Sequence, residues 1–300
     1  MSFALIFSGQ GMQHPAMLSW LADDELLSGM ARVLGADWRQ HLQDRDWASR
    51  NAHAQLLLTG LGLAAWTQLA PRLPEPAVVA GYSVGEVAAF AAAGVCAPGD
   101  AIELVQLRAA LMDRDAERCP AGLLAVSGLA DEAMTRLCND FGLLIAIRND
   151  PVSVVLGGPR SSLAPAADAA LRQGGHATAL PVGVASHTRW MAEAARAFEA
   201  RLATQPFASP RIPLLSNVAG RVRDAAQARS ALARQLDHTV RWDECMEAIA
   251  ARRVRCVLEI GPGQALARMW NQRHPGIPAR SADEFRSAGG IVDWIGRHAD

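Results

Sequence analysis

A serine flanked by glycines is the residue of this sequence best suited to nucleophilic chemistry. The segment Gly81–Gly85 has the pattern G-x-S-x-G and lies between a short apolar run and an alanine-rich run. That context is typical of a nucleophile elbow, a tight strand-to-helix turn in which a Cβ at either glycine position would clash. We therefore predict that Ser83 is a catalytic nucleophile, the alternative being an ordinary glycine-flanked turn.

A serine hydroxyl needs a neighbouring base before it can attack, and the sequence offers eight histidines. We favour His187, because it lies in the loop that follows the last strand of a predicted insert and returns to the main domain. By position alone, a solvated loop histidine is an equally good interpretation. The 29 lysine and arginine residues are all arginine, so a Ser–Lys dyad, a lysine Schiff base and a P-loop lysine are excluded.

The turn Gly9–Gly11 follows the first apolar strand, and its glycines would let the backbone approach a ligand closely. The main-chain N–H groups of Gln10 and Val84 could then form an oxyanion hole beside Ser83. Taken alone, the G-Q-G pattern favours a plain turn.

Short apolar runs alternate with longer helical stretches along most of the chain, which predicts an α/β fold. We expect an α/β-hydrolase-like large domain with a parallel sheet, formed by residues 1–121 and 188–300. Residues 122–187 have the order βαββαβ and are predicted to be an inserted, ferredoxin-like small subdomain. The residues after Pro278 are predicted to form a weakly specified tail helix.

The composition excludes several classes of protein. With 300 residues, 50% of them apolar, and a net charge of −1, the chain is expected to be globular and not to bind nucleic acid. No apolar run reaches the ~18 residues of a membrane span, and the N-terminal strand lacks a basic leader. Five scattered cysteines without a C-x-x-C pair argue against disulfides and a metal site. We expect a cytoplasmic protein without metal or cofactor.

Several motifs, taken in order, resemble the malonyl-CoA:acyl carrier protein transacylase family. The resemblance extends over nearly the whole chain and is carried by Phe7–Gln13, Gln55, Gly81–Glu86, Gln106–Arg108, Asn149–Pro151, Ser186–His187, Leu215–Val218, Arg234–Leu236 and Glu259–Gly263. Several such motifs in register are far more specific than any one of them.

The resemblance implies a covalent mechanism. Malonyl-CoA would acylate Ser83, and His187 would be the base, oriented by the main-chain carbonyl of Gln235 in place of a triad acid. The N–H groups of Gln10 and Val84 would form the oxyanion hole.

The resemblance also implies the substrates. Arg108 would pair with the free malonyl carboxylate, with Gln55 and Asn217 near the pocket. The partners would be malonyl-CoA, or a malonyl-carrier thioester, and an acyl carrier protein with a phosphopantetheine or dephospho-CoA-type arm. No cofactor is implied.

Two positions depart from the family pattern. Tyr82 stands where the family usually has histidine, and Ser8 where it commonly has proline. Both look more like the malonyltransferase subunit of bacterial malonate decarboxylase, which would bring the other decarboxylase subunits as partners. We therefore expect that subunit, the alternative within the family being the transacylase of fatty-acid or polyketide synthesis.

Two further alternatives lie outside that family. A serine thioesterase or esterase would place an acid between Ser83 and His187 in the chain, and Asp150 is a candidate. Such an enzyme has no need for a basic group such as Arg108 in its acyl pocket. The second alternative is a non-catalytic subunit that only holds a carrier protein.

Overall fold

Two β-sheets with flanking helices make up the structure, a computed structural model that describes residues 2–300. In chain order the strands are β1 Phe3–Phe7, β2 Val78–Gly81, β3 Ala121–Ser127, β4 Leu144–Asp150, β5 Ser153–Pro159, β6 His176–Ala179, β7 Leu214–Ser216, β8 Gly220–Val222, β9 Val240–Arg241, β10 Cys256–Ile260 and β11 Ala279–Ser281. The predicted α/β fold is confirmed.

Thirteen α-helices lie within the described residues. They are α1 Glu25–Leu34, α2 Trp38–His41, α3 Arg45–Ser49, α4 Asn51–Leu69, α5 Gly85–Ala92, α6 Pro98–Arg118, α7 Asp131–Phe141, α8 Arg160–Arg172, α9 Ala192–Leu202, α10 Ala225–Arg234, α11 Trp242–Ala250, α12 Ala265–Arg273 and α13 Ala288–His298. Short 3₁₀ turns occupy Ala70–Arg72, Arg189–Met191 and Ala282–Glu284.

The larger sheet has six strands in the order β11-β10-β1-β2-β7-β8, parallel except for β8. Every residue of β1, β2 and β10 is buried, as expected of parallel strands covered on both faces. Because β1 and β2 are adjacent and parallel, the loops that follow them leave the same edge of the sheet. That edge brings the Gly9–Gly11 turn beside the predicted elbow.

Helix α4 is apolar on nearly all sides, which favours a helix enclosed by other elements. It packs against α1, α5 and α6, and so holds in place the helix that begins at the elbow and the helix that carries Arg108.

The smaller sheet has the order β6-β3-β5-β4-β9. Its first four strands and the helices α7 and α8 follow one another in the predicted βαββαβ order, and these strands are antiparallel. The fifth strand, β9, comes from beyond residue 187 and pairs with β4 in parallel. Division of the chain at residues 122 and 187 stays a prediction.

The C-terminal segment is more ordered than the sequence pattern suggests. We expected a weakly specified tail helix after Pro278, but β11 extends the larger sheet and α13 buries Ile291 and Trp294 in the core. The predicted helix is present as α13, but its burial and the strand before it were not predicted, since a three-residue strand is too short to show an alternating pattern. The short strands β8 and β9 escaped prediction for the same reason, whereas the helices between residues 25 and 49 were not singled out at all.

No described helix is long and apolar enough to cross a membrane. Within residues 2–300, no group of three or more His, Cys, Asp or Glu side chains could hold a metal ion. All five cysteines have free thiols.

Candidate active site

The segment Gly81–Gly85 forms a sharp turn between β2 and α5. Ser83 has a φ of 54°, a left-handed conformation that is uncommon for a residue with a side chain. A Cβ on Gly81 would lie 2.1 Å from the carbonyl carbon of Gly85, and one on Gly85 would lie 2.4 Å from the Phe7 oxygen. Both glycines are therefore required by close backbone contacts, as the sequence pattern predicts.

The turn places the Ser83 hydroxyl against the His187 imidazole. Ser83 Oγ lies 2.7 Å from His187 Nε2, and His187 Nδ1 lies 2.6 Å from the main-chain oxygen of Gln235. A carbonyl oxygen can only accept, so Nδ1 carries the proton and the bare Nε2 accepts from the serine hydroxyl. The arrangement can remove a proton from Ser83.

Two consecutive carbonyls hold His187. Its main-chain N–H donates to the Leu236 oxygen at 2.7 Å, next to the Gln235 oxygen that binds its ring. Both oxygens follow the end of α10, where helix carbonyls lack partners and carry partial negative charge. The end of α10 thus holds the imidazole at the nitrogen that a carboxylate binds in a Ser-His-Asp triad.

Burial keeps the imidazole neutral. His187 is 1% exposed, and burial together with the Arg108 charge lowers its pKa to about 3, although the hydrogen bond to Gln235 acts in the opposite direction. At neutral pH His187 is therefore unprotonated, which is the state that a general base needs.

The two predicted oxyanion amides are available. Within residues 2–300, neither the Gln10 N–H nor the Val84 N–H donates to another protein group. A Cβ on Gly9 would lie 2.9 Å from the Tyr82 oxygen, so this turn lies directly against the elbow. The Ser8 hydroxyl anchors the turn by donating to buried Glu259 at 2.7 Å.

Arg108 is buried and points towards the dyad. Its Nη1 donates to Gln55 Oε1 at 2.6 Å and its Nη2 to Gln235 Oε1 at 2.7 Å, while its Nε has no partner in the described part of the chain. Burial lowers the pKa of Arg108 to about 10, with Glu86 acting in the opposite direction, so the guanidinium remains charged at neutral pH. A buried guanidinium with spare N–H groups can bind a carboxylate.

The acyl transferase domain family matches residues 4–274 of this chain. The chain belongs to that family. The acyltransferase is 33% identical over 283 residues to the malonyl CoA-acyl carrier protein transacylase of Salmonella typhimurium, which covers 88% of this chain and 90% of that protein. It is 34% identical over 299 residues to the protein of the same name from Mycobacterium bovis, covering 93% of this chain and 95% of that one.

Solved structures resemble the acyltransferase equally closely. A malonyl-CoA:acyl carrier protein transacylase from Xanthomonas oryzae superposes with a TM-score of 0.90 at 30% identity, covering all of both chains. A malonyl-transacylase solved in complex with its type II PKS acyl-carrier protein gives a TM-score of 0.89 at 30% identity, covering 98% of this chain and 99% of that one.

Two predicted substrate residues of the acyltransferase are engaged with the protein itself. Asn217 accepts from the Ser83 N–H at 2.9 Å and donates to the Gly81 oxygen at 2.8 Å, so its side chain holds the elbow from behind. Gln55 accepts from Arg108 and donates to Asn51 at 2.7 Å. Both residues shape the site through their neighbours.

Glu86 is the residue of the site that the sequence argument missed. It lies in the first turn of α5, is 0% exposed, and accepts hydrogen bonds from the Asn217 N–H and the Gln235 side chain. Burial raises its pKa to about 7, although these hydrogen bonds and the Arg108 charge lower it. A carboxylate within the otherwise apolar start of α5 was the available signal.

The acid required by the esterase alternative does not contact the histidine. Asp150 accepts from the Val152 N–H at 2.8 Å in the turn between β4 and β5, and the Gln235 carbonyl occupies the ring nitrogen that a triad acid would bind. The acyltransferase therefore has a dyad with a carbonyl behind it.

Proposed function

We propose that the protein is a malonyl-CoA:acyl carrier protein transacylase, which moves a malonyl group through a Ser83 ester to the thiol of a carrier arm. The observation that carries the proposal is Arg108, a buried guanidinium with unpartnered N–H capacity beside the Ser83–His187 pair. An acyl pocket with such a group favours an acyl chain that ends in a carboxylate. The relatives named above support the same substrate.

In the first half-reaction, Ser83 attacks the thioester carbonyl of malonyl-CoA while its proton moves to His187 Nε2. The oxyanion accepts hydrogen bonds from the Gln10 and Val84 N–H groups, and the α10 carbonyls stabilise the imidazolium that forms. When the C–S bond breaks, the coenzyme A sulfur takes the proton from His187. The products are malonyl-Ser83 and free coenzyme A.

The second half-reaction runs in the reverse sense with a different thiol. The carrier thiol gives its proton to His187 Nε2 as its sulfur attacks the ester carbonyl of malonyl-Ser83. The same two N–H groups bind the oxyanion. Collapse breaks the C–O bond, and Ser83 recovers its proton from His187.

Tyr82 and Ser8 favour the malonate decarboxylase pathway. The relatives carry the transacylase name, which favours the transacylase alternative instead. A carrier comparison separates the two: malonyl-enzyme should transfer to a phosphopantetheine carrier, whereas faster transfer to a carrier with a dephospho-CoA-type arm would support the decarboxylase subunit.

The central test is the mass of the intact protein after brief mixing with malonyl-CoA or acetyl-CoA. We expect a malonyl adduct on Ser83 and none on Ser83→Ala. Rapid release of free malonate would support the thioesterase alternative, and an unmodified wild-type chain would support the docking subunit.

Arg108→Ala tests the substrate assignment. Losing one partner of a buried ion pair typically costs ~3–5 kcal/mol, so malonyl labelling should fall by roughly two to three and a half orders of magnitude while acetyl labelling is spared. Stability should also fall, since Gln55 and Gln235 lose their partner. The control is Arg136→Ala, a substitution of an exposed arginine, and an unchanged malonyl-to-acetyl ratio in Arg108→Ala would contradict the proposal.

A further inference from the structure

The Glu86 carboxylate lies behind the nucleophile and, within residues 2–300, makes no hydrogen bond to Ser83, His187 or Arg108. Its Oε1 accepts from the Asn217 N–H at 2.5 Å, and its Oε2 accepts from Gln235 Nε2 at 2.7 Å. Burying an ionisable group is costly unless hydrogen bonds or an opposite charge compensate it. Both partners also contact residues of the site, since Asn217 binds the Ser83 N–H and Gln235 binds Arg108.

Glu86 fixes which way the Gln235 amide faces. Gln235 Nε2 donates both to Glu86 Oε2 and to the Ser83 main-chain oxygen. A main-chain oxygen has no proton to donate, and neither has the Glu86 carboxylate when it is ionised, so both groups act as acceptors. The amide oxygen is thereby left facing Arg108 Nη2, at 2.7 Å. The donors and acceptors allow one orientation.

We propose that Glu86 is a positioning residue for the substrate arginine, acting through the side chain of Gln235. The inference rests on the proposed function. Glu86 locks the Gln235 amide, the amide oxygen holds Arg108, and Arg108 is kept at the angle at which its free N–H groups meet the acyl carboxylate.

The intervening amide also explains why the two charges are not in direct contact. A carboxylate bound to the Arg108 fork would occupy the N–H groups that the substrate needs. With Gln235 between them, the ionised form of Glu86 supplies negative charge close to Arg108. Nε and the second N–H of each terminal nitrogen then have no partner within residues 2–300. Glu86 thus compensates the buried charge of Arg108 without competing with the substrate carboxylate for its N–H groups.

Two substitutions test the relay. Gln235→Met removes the amide but keeps the main-chain carbonyl that orients His187, and Glu86→Gln removes the charge and leaves one acceptor oxygen for two donors. Hydrogen bonds to charged groups are strong enough that each change should lower the malonyl-to-acetyl ratio of Ser83 labelling by about 10- to 100-fold. The loss should appear in the malonyl-CoA concentration needed for half-maximal labelling more than in the acetyl rate.

Matched controls separate positioning from a general loss of structure. Gln68→Met removes another glutamine whose side chain makes three hydrogen bonds, in this case to Ala22 and Asp24 away from the site. Glu259→Gln neutralises the other buried glutamate of residues 2–300, which lies on β10. Both controls should leave the malonyl-to-acetyl ratio within about twofold of wild type, and any effect of Glu259→Gln should fall on both substrates alike.

The double variant and the wild type complete the experiment. In the Gln235→Met background, Glu86→Gln should change the ratio little further, because its effect is transmitted through Gln235. If Glu86→Gln folds and keeps the wild-type preference for malonyl, the inference is overturned. If Glu86→Gln does not fold, the same result in Gln235→Met overturns it. A wild-type enzyme with no malonyl preference overturns the proposed function itself.

Discussion

At the scale of single residues, the identities of the site residues are easier to predict from the sequence than their contacts. Ser83, His187 and Arg108 are predictable because their segments have recognisable patterns or family counterparts. The side-chain contacts of Gln235 are not predictable, because its partners Ser83 and Arg108 are more than a hundred residues away in the chain. No local pattern records such a contact.

The lowered pKa of His187 gives a prediction with a definite sign. Its folded-state pKa of about 3 lies below the ordinary 6.5, so the unfolded chain binds a proton that the folded chain excludes between these values. His187 therefore contributes stability above pH 6.5 that is lost as the pH falls towards 3.

Two measurements check this prediction. The ring ¹⁵N shifts of His187 should stay constant between about pH 5 and 8, where an ordinary histidine titrates. The melting temperature of wild type should fall more between pH 7 and pH 5, roughly the range in which free histidine gains its proton, than that of His187→Gln. A ring that titrates near 6.5 would show that the dyad is open to solvent.

At the scale of elements, two helix ends face each other across the reacting atoms. At the start of α5 the N-cap residue Val84 keeps an N–H without an acceptor in the described part of the chain, and at the end of α10 the Gln235 and Leu236 carbonyls accept from His187. These opposite partial charges would suit the oxyanion and the imidazolium of the proposed reaction. Long elements such as α5 and α10 were predictable from their patterns, but that their ends converge depends on tertiary packing.

The elbow gives a prediction about an element boundary. Gly81→Ala should destabilise the protein by about 1–3 kcal/mol or more, or prevent folding, because the added Cβ would meet the Gly85 backbone, which cannot move aside as a flexible side chain can. Gly296→Ala, in α13 with open space around it, should be neutral or stabilising by about 0.4–1 kcal/mol. Chemical denaturation of both variants measures the contrast, and similar midpoints would show that the turn is not tightly packed.

At the scale of the whole molecule, the two sheets are joined by more than their covalent connections. One apolar cluster contains side chains of both sheets, among them Ile6 and Val155. Near the site, the Tyr82 hydroxyl donates to Asn149 on β4 at 3.0 Å, so the elbow itself is tied to the smaller sheet. Tyr82, at the position where the resemblance leads us to expect histidine, therefore connects the two sheets.

Tyr82→Phe tests that connection. Removing a single hydrogen bond should cost about 0.5–1.5 kcal/mol of unfolding free energy, with Ser83 labelling retained because the ring still packs against Trp242. Asn149→Ala should cost a similar amount and the double variant little more, as measured by denaturation. Loss of labelling in Tyr82→Phe would instead place the hydroxyl in the acyl-transfer step.

The two carbonyls that hold His187 are synthesised well after the serine and the histidine themselves. The elbow can form early, since Gly85 packs against Phe7, but the oxygens of Gln235 and Leu236 emerge from the ribosome some 150 residues after Ser83 (235 − 83 = 152). A nascent chain therefore carries its serine long before the histidine is held in register. On the proposed mechanism, the protein becomes reactive towards thioesters only when residues 235 and 236 have been made.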